Sequence, residues 1–245
     1  MKHFWTHKET MPEGMGYGQF RSGHFIWLAI TAAMVIGTAV LYGRCVPAEK
    51  TFLLRSIGIT LLVIEVIKMV LIGFSEVKLT DYLPLEICSF AAYFIVCDSF
   101  WTGNTVFPGM LLTLFLPAAI MAVLVPTTST LPAFNFYTIH QFVYHGLIIA
   151  YVLTRFVYGE IPLTYAGVWR SIFNVILLAA VIYVIDVVFN KNFMFLRETY
   201  GNPLLEAIWN KTNGGFAYTI GLVCFCIVMI HIFFIFFKII SLLFL

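Results

Sequence analysis

Seven apolar runs follow one another along the chain, at 22–43, 52–73, 83–101, 106–125, 136–158, 168–189 and 216–240. Each is close to the ~20 residues a helix needs to cross ~30 Å of hydrocarbon. Polar turns separate them. The shortest, Thr102-Gly103-Asn104-Thr105, makes the third and fourth runs an antiparallel pair. The pattern predicts an all-α fold, a polytopic transmembrane helix bundle of seven spans. Residues 22–245 form one transmembrane domain behind a polar segment, 1–21, and the two termini fall on opposite sides. Segment 1–21 lacks the apolar core of a signal peptide, so the first run reads as a retained span. Pro117 lies mid-run in the fourth span. An interior proline removes a backbone bond and bends a helix, and in a membrane such a bend belongs inside the bundle. The longest connection, 190–215, carries too many apolar residues for a solvated loop. Its stretch from Pro203 to Trp209 reads either as a short interfacial helix or as a loop packed on the bundle end.

Composition narrows the class. Of 245 residues, 61% are apolar and 11% charged, against roughly 25% charged in an ordinary soluble domain. So little charge cannot cover a water-soluble surface, and so much apolar surface excludes disorder. Long unbroken runs exclude an outer-membrane barrel, whose strands alternate over ~10 residues. The chain is expected to be a multi-pass integral protein of the cell membrane, with membrane lipids as its partners. A net charge of +2 without a Lys/Arg cluster gives no field for nucleic acid. Lys and Arg, Lys2 included, divide seven to six between the two sides, which leaves orientation open. Five cysteines at these spacings form neither a disulfide framework nor a zinc pattern. No cofactor and no oligomeric state is legible.

Ionisable residues inside spans are costly and usually face the bundle interior. Glu65 and Lys68 are neighbours on one face of the second span, at i and i+3. Glu86, Ser89, Tyr93 and Cys97 make one stripe on the third, with Cys88 about 200° round from Glu86. Asp98, near the far end of that span, reads as wet. On the fifth, Thr138, Gln141 and His145 form a continuous polar face, and Gly146 permits close approach of another helix. His140 points about 140° away from His145. His24 opens the first span, and His231, among Phe and Ile, reads as structural. The expected site is His24, Glu65, Glu86 and His145 around one polar cavity, with His145 and Glu86 as acid and base. Thr138, Gln141 and Tyr93 line it as substrate-binding residues. Two His and two Glu are also ligand types that suit a divalent metal, although spacing across four helices assigns none.

Several of these residues fall in short motifs: YLPLEICS at 82–89, the VP turn at 125–126, YHG at 144–146 and NKNFMFLRETYGNPLLE at 190–206. In them the chain resembles the YwaF family of bacterial integral membrane proteins, over about 20–240. That family is distantly similar to an animal membrane acyltransferase family that makes ether phospholipids. The resemblance implies the helical fold and a later-span histidine at His145. It places Leu85 and Glu86 where the animal family has a nucleophilic Cys followed by His, so a Cys-acyl mechanism does not carry over.

Two functions fit these features. One is a lipid-modifying enzyme, catalysing acyl transfer or hydrolysis at an intramembrane His/Glu site. The alternative is a proton-coupled small-solute transporter, or a membrane subunit of a larger complex, with the same groups as a proton relay. The absence of an internal repeat counts against transport.

Overall fold

A computed structural model describes residues 3–101 and 103–244; Lys2 and Thr102, used above, lie outside the described residues. Among those described, regular structure is helical throughout, and all the α-helices but Pro203–Thr212 fall on the apolar runs. They are α1 (Ser22–Arg44), α2 (Pro47–Gly73), α3 (Ile87–Phe100), α4 (Phe107–Leu124), α5 (Phe136–Val157), α6 (Tyr165–Phe189), α7 (Pro203–Thr212) and α8 (Gly215–Phe244). Six are long and apolar enough to cross a membrane, and α3 is a shorter apolar helix. At 1.5 Å per residue, the 14 residues of α3 span about 21 Å.

Local chemistry sets the ends. Pro47 opens α2, where its missing N–H costs nothing, and Glu49 reaches back to the Val46 N–H at 3.0 Å. Asn135, Thr164 and Asn202 cap α5, α6 and α7 through side-chain oxygens that accept backbone N–H groups. Asn190 and Asn213, both left-handed, end α6 and α7.

The spans alternate in direction, so Ser22 and Phe244 lie at opposite ends of the bundle. Burial identifies the centre: 67% of the α4 window is buried, against 11% of that of α1. Phe115, Leu112 and Leu116 of α4 pack with Phe142 and Tyr151 of α5, Leu61 of α2 and Ile95 of α3, all essentially inaccessible. The expected bend in α4 takes the form of a π turn over Leu111–Phe115, with the Leu116 N–H bonded to the Leu111 carbonyl. The turn immediately precedes Pro117 and absorbs the hydrogen bond that proline cannot make. Beside it, Gly109 faces Gly167 so closely that a Cβ on Gly109 would stand 3.3 Å from the Gly167 Cα, which lets α4 and α6 touch backbone to backbone.

Of the two readings of Pro203–Trp209, the helix is the one the structure has, and the loop is not. Pro203–Thr212 is the short helix α7, with Trp209 against Tyr218 of α8. Residues 193–196 instead plug the bundle end. The N–H groups of Phe193 and Met194 donate to Asp186 and Glu86, while the carbonyls of Phe195 and Leu196 accept from Tyr218 and Thr219. Such a segment can be buried because side chains from three spans satisfy its peptide groups.

Candidate functional site

One end of the bundle gathers the late turns of α2, the start of α3 and the early turns of α5. Glu65, buried on α2, receives the Lys68 ammonium at 2.6 Å on Oε1. The Ser89 hydroxyl approaches the same oxygen at 3.5 Å. Its Oε2 faces His140 Nε2 of α5 at 3.4 Å, an ion-pair distance too long for a well-made hydrogen bond. The His140 ring stacks on Tyr144, centroids 5.1 Å apart, and the Tyr144 hydroxyl donates to the Cys88 carbonyl at 3.3 Å. Thus α2, α3 and α5 are laced together by one polar cluster, and a carboxylate between two nitrogen groups has the compensation that burial demands.

His145 lies just under one and a half turns further along α5 than His140 and is 8% exposed. Its Nδ1 stands 2.6 Å from the Gln141 carbonyl. A carbonyl only accepts, so Nδ1 carries the proton and Nε2 keeps its lone pair. No described residue donates to that Nε2. Gly146, next in sequence, sits against Met34 and Thr31 of α1, and a Cβ there would collide with the Met34 methyl.

The other expected residues are placed differently. His24 is wholly buried but fully engaged: Nδ1 accepts the Phe20 N–H at 3.0 Å and Nε2 donates to the Val123 carbonyl at 2.8 Å. Gln141 donates to the Ala122 carbonyl at 2.9 Å, and Gln19 to that of Leu124 at 3.2 Å. Three side chains therefore cap three successive carbonyls that the end of α4 leaves without intrahelical partners. Glu86 precedes α3 and holds the Met194 N–H at 2.8 Å. Thr138 donates to the Pro132 carbonyl at 3.0 Å, and Tyr93, 37% exposed, reaches the Pro84 carbonyl at 3.5 Å. No direct bond joins any two of His24, Glu65, Glu86 and His145. The group that Glu65 does meet, His140, was legible only as a histidine on another face of α5 than His145. Pairing across helices leaves no trace in the spacing of one chain. Among the described residues, no group of three or more His, Cys, Asp or Glu is close enough to hold a metal ion, and the five cysteines are unpaired.

Asp98 is not wet. Its side chain is fully buried at the opposite bundle end, where it pairs with Arg155 and accepts from Tyr151 at 2.6 Å and Asn104 at 3.0 Å. Arg155 sits one turn beyond Tyr151 on α5, so both donors reach α3 together.

The TMEM164 family model matches residues 19–239. This match overturns the resemblance to the YwaF family, which rested on short motifs. No curated protein and no solved structure matches the chain. With a family model spanning residues 19–239 and six helices long and apolar enough to cross a bilayer beside the shorter α3, the chain is an integral multi-pass membrane protein that belongs to the TMEM164 family.

Proposed function

We propose that this protein is a lipid-modifying membrane enzyme, an acyltransferase or a hydrolase, with His145 as its general base. One observation carries the proposal. The bond from Nδ1 to the Gln141 carbonyl favours the tautomer of His145 that keeps the Nε2 lone pair, and no described residue donates to that nitrogen. A histidine held so takes a proton from an attacking hydroxyl without first having to reorient. In the proposed reaction, Nε2 accepts the proton of a lipid hydroxyl or a water while that oxygen bonds to an acyl carbon. The imidazolium then returns the proton to the departing alkoxide. One ester is exchanged for another, or hydrolysed, and no redox partner is required. Glu65 holds His140 and Lys68 beside this site and supplies its negative charge. Glu86 serves it indirectly by pinning the 193–196 plug, whereas His24 has a structural role at the end of α4.

The test uses the full chain in vesicles containing a phospholipid with a labelled acyl chain and an unlabelled lysophospholipid. Label is expected in the second lipid or in free fatty acid, and His145→Ala should reduce that rate by about 10²-fold or more, the usual contribution of a general base. Full activity in His145→Ala overturns the assignment. A proton flux that depends on an added solute, without any acyl transfer or hydrolysis, overturns the enzymatic reading in favour of transport.

A further inference from the structure

At the opposite end of the bundle from His145, a cleft of about 290 Å³ opens where the α1–α2, α3–α4 and α5–α6 turns meet. Tyr42, Lys50, Thr51, Trp101, Asn104 and Arg155 are among the residues that line it. Its acceptors are already used. Asp98 takes Tyr151, Arg155 and Asn104, while both oxygens of Glu160 are engaged, one by Tyr42 and the other by Arg155 Nε. Its donors are not. Lys50 Nζ lies over the rings of Tyr42 and Tyr158, 4.8 and 5.2 Å from their centroids, and meets no carboxylate among the described residues. Arg155 bonds through Nε and Nη1, and its Nη2 has no acceptor among them. A half-buried ammonium held by two aromatic faces, beside a guanidinium edge with spare donors, is arranged for an oxyanion. Exposed Trp101, Tyr165 and Trp169 ring the same end, the aromatic belt that marks headgroup depth.

We propose that this cleft binds the phosphate of a membrane phospholipid, with Lys50 and Arg155 as its ligands. It is a site separate from the proposed reaction centre, since α3 carries Ser89 at one end and Asp98 at the other. Asp98 and Glu160 hold Arg155 in the wall of the cleft through Nη1 and Nε, and Nη2 is left without an acceptor among the described residues. A phosphate therefore enters a site whose carboxylates are screened by their own partners.

The experiment is a thermal-stability titration of the full chain in a phosphate-free non-ionic detergent. Phosphatidic acid, diacylglycerol with the same acyl chains, and inorganic phosphate are added in separate arms. Phosphatidic acid is expected to raise the melting temperature with saturation, and diacylglycerol is not. Lys50→Met should weaken the apparent affinity about tenfold or more, the loss of one charge-assisted contact, while leaving the ligand-free melting temperature within a few degrees. Stabilisation by inorganic phosphate alone, also sensitive to Lys50→Met, supports the phosphate site but assigns it to a soluble source. Equal stabilisation by diacylglycerol, or unchanged affinity in Lys50→Met, overturns the proposal. The readout is binding, so it stands or falls independently of any acyl-transfer activity.

Discussion

Replacing Asp98 by alanine tests how much of the bundle depends on one buried carboxylate. Asp98 joins α3 to α5 through Tyr151 and Arg155, and to the α3–α4 turn through Asn104, with none of its side chain exposed. Removing one partner of a buried pair typically costs about 3–5 kcal/mol, because the remaining charge loses its compensation. Arg155 keeps Glu160 at 3.2 Å and is itself 14% exposed, so the low end applies, about 3 kcal/mol. The Tyr151 hydroxyl loses its acceptor as well, which keeps the figure from falling further. In a chain of this size, 1 kcal/mol moves the melting temperature by about 2–4 °C, so Asp98→Ala should lower it by about 6–12 °C. The assay is thermal unfolding in detergent at one fixed scan rate, because unfolding of such a protein is commonly irreversible. Asp98→Asn, which retains an acceptor but not the charge, should fall between. In a double-mutant cycle with Arg155→Ala, the coupling should exceed 0.5 kcal/mol, as for residues in direct contact. A melting temperature within about 2 °C of the parent in Asp98→Ala, or strict additivity in the cycle, would refute the claim that this pair ties α3 to α5.

His24→Phe preserves the ring volume but strips the Val123 carbonyl of its donor and the Phe20 N–H of its acceptor. Stability should fall by about 2 kcal/mol, measured by the same unfolding assay, with the labelled-lipid activity retained at temperatures well below unfolding. Cys88→Ala should leave that activity within about twofold, since the proposed chemistry runs through His145; complete loss in a well-folded variant would reinstate a thiol mechanism. His7, in the segment before α1, packs edge-on against Tyr82 and Tyr137 beside Lys8 and Glu9. Burial lowers its pKa from the ordinary 6.5 to about 4, an effect that Glu9 opposes and Lys8 reinforces. The detached segment thus binds a proton where the docked one does not. Docking should be at full strength above pH 6.5 and weaken as the pH falls toward 4, and limited proteolysis of residues 3–21 should accelerate over that window in the parent but not in His7→Phe.

How much of the site the sequence discloses depends on which coordinate is asked for. Depth is disclosed. A Glu, Lys or His within an apolar run has to be compensated, and Glu65, Lys68, His140 and His145 all are engaged inside the bundle. Azimuth along one helix is partly disclosed, as in the Glu65–Lys68 pair at i and i+3. Partners on other helices are not, because the rotation of each helix is set by packing against several neighbours at once. That is why Glu65 meets His140 rather than Glu86, and why His24 caps α4 instead of joining a shared cavity. Asp98 was misplaced for the same reason. Its position near a span end suggested water, while Arg155 and Tyr151, more than fifty residues away, enclose it.

By itself the sequence determined the all-helical class, the seven spans and most of their ends, because hydrocarbon thickness fixes how long an apolar helix must be and capping residues act within a turn of where they stand. It also determined that polar groups lie inside the bundle. Tertiary structure alone decided which of them meet. It made the buried plug at 193–196 from side chains of three spans, turned the Pro117 bend into a π turn fitted among fully buried neighbours, and separated a His/Glu cluster at one end from an Asp/Arg cluster at the other. Local hydrogen bonds and apolar length can be read along one strand of sequence, whereas the energy of a buried polar pair depends on groups that only the packed bundle brings together.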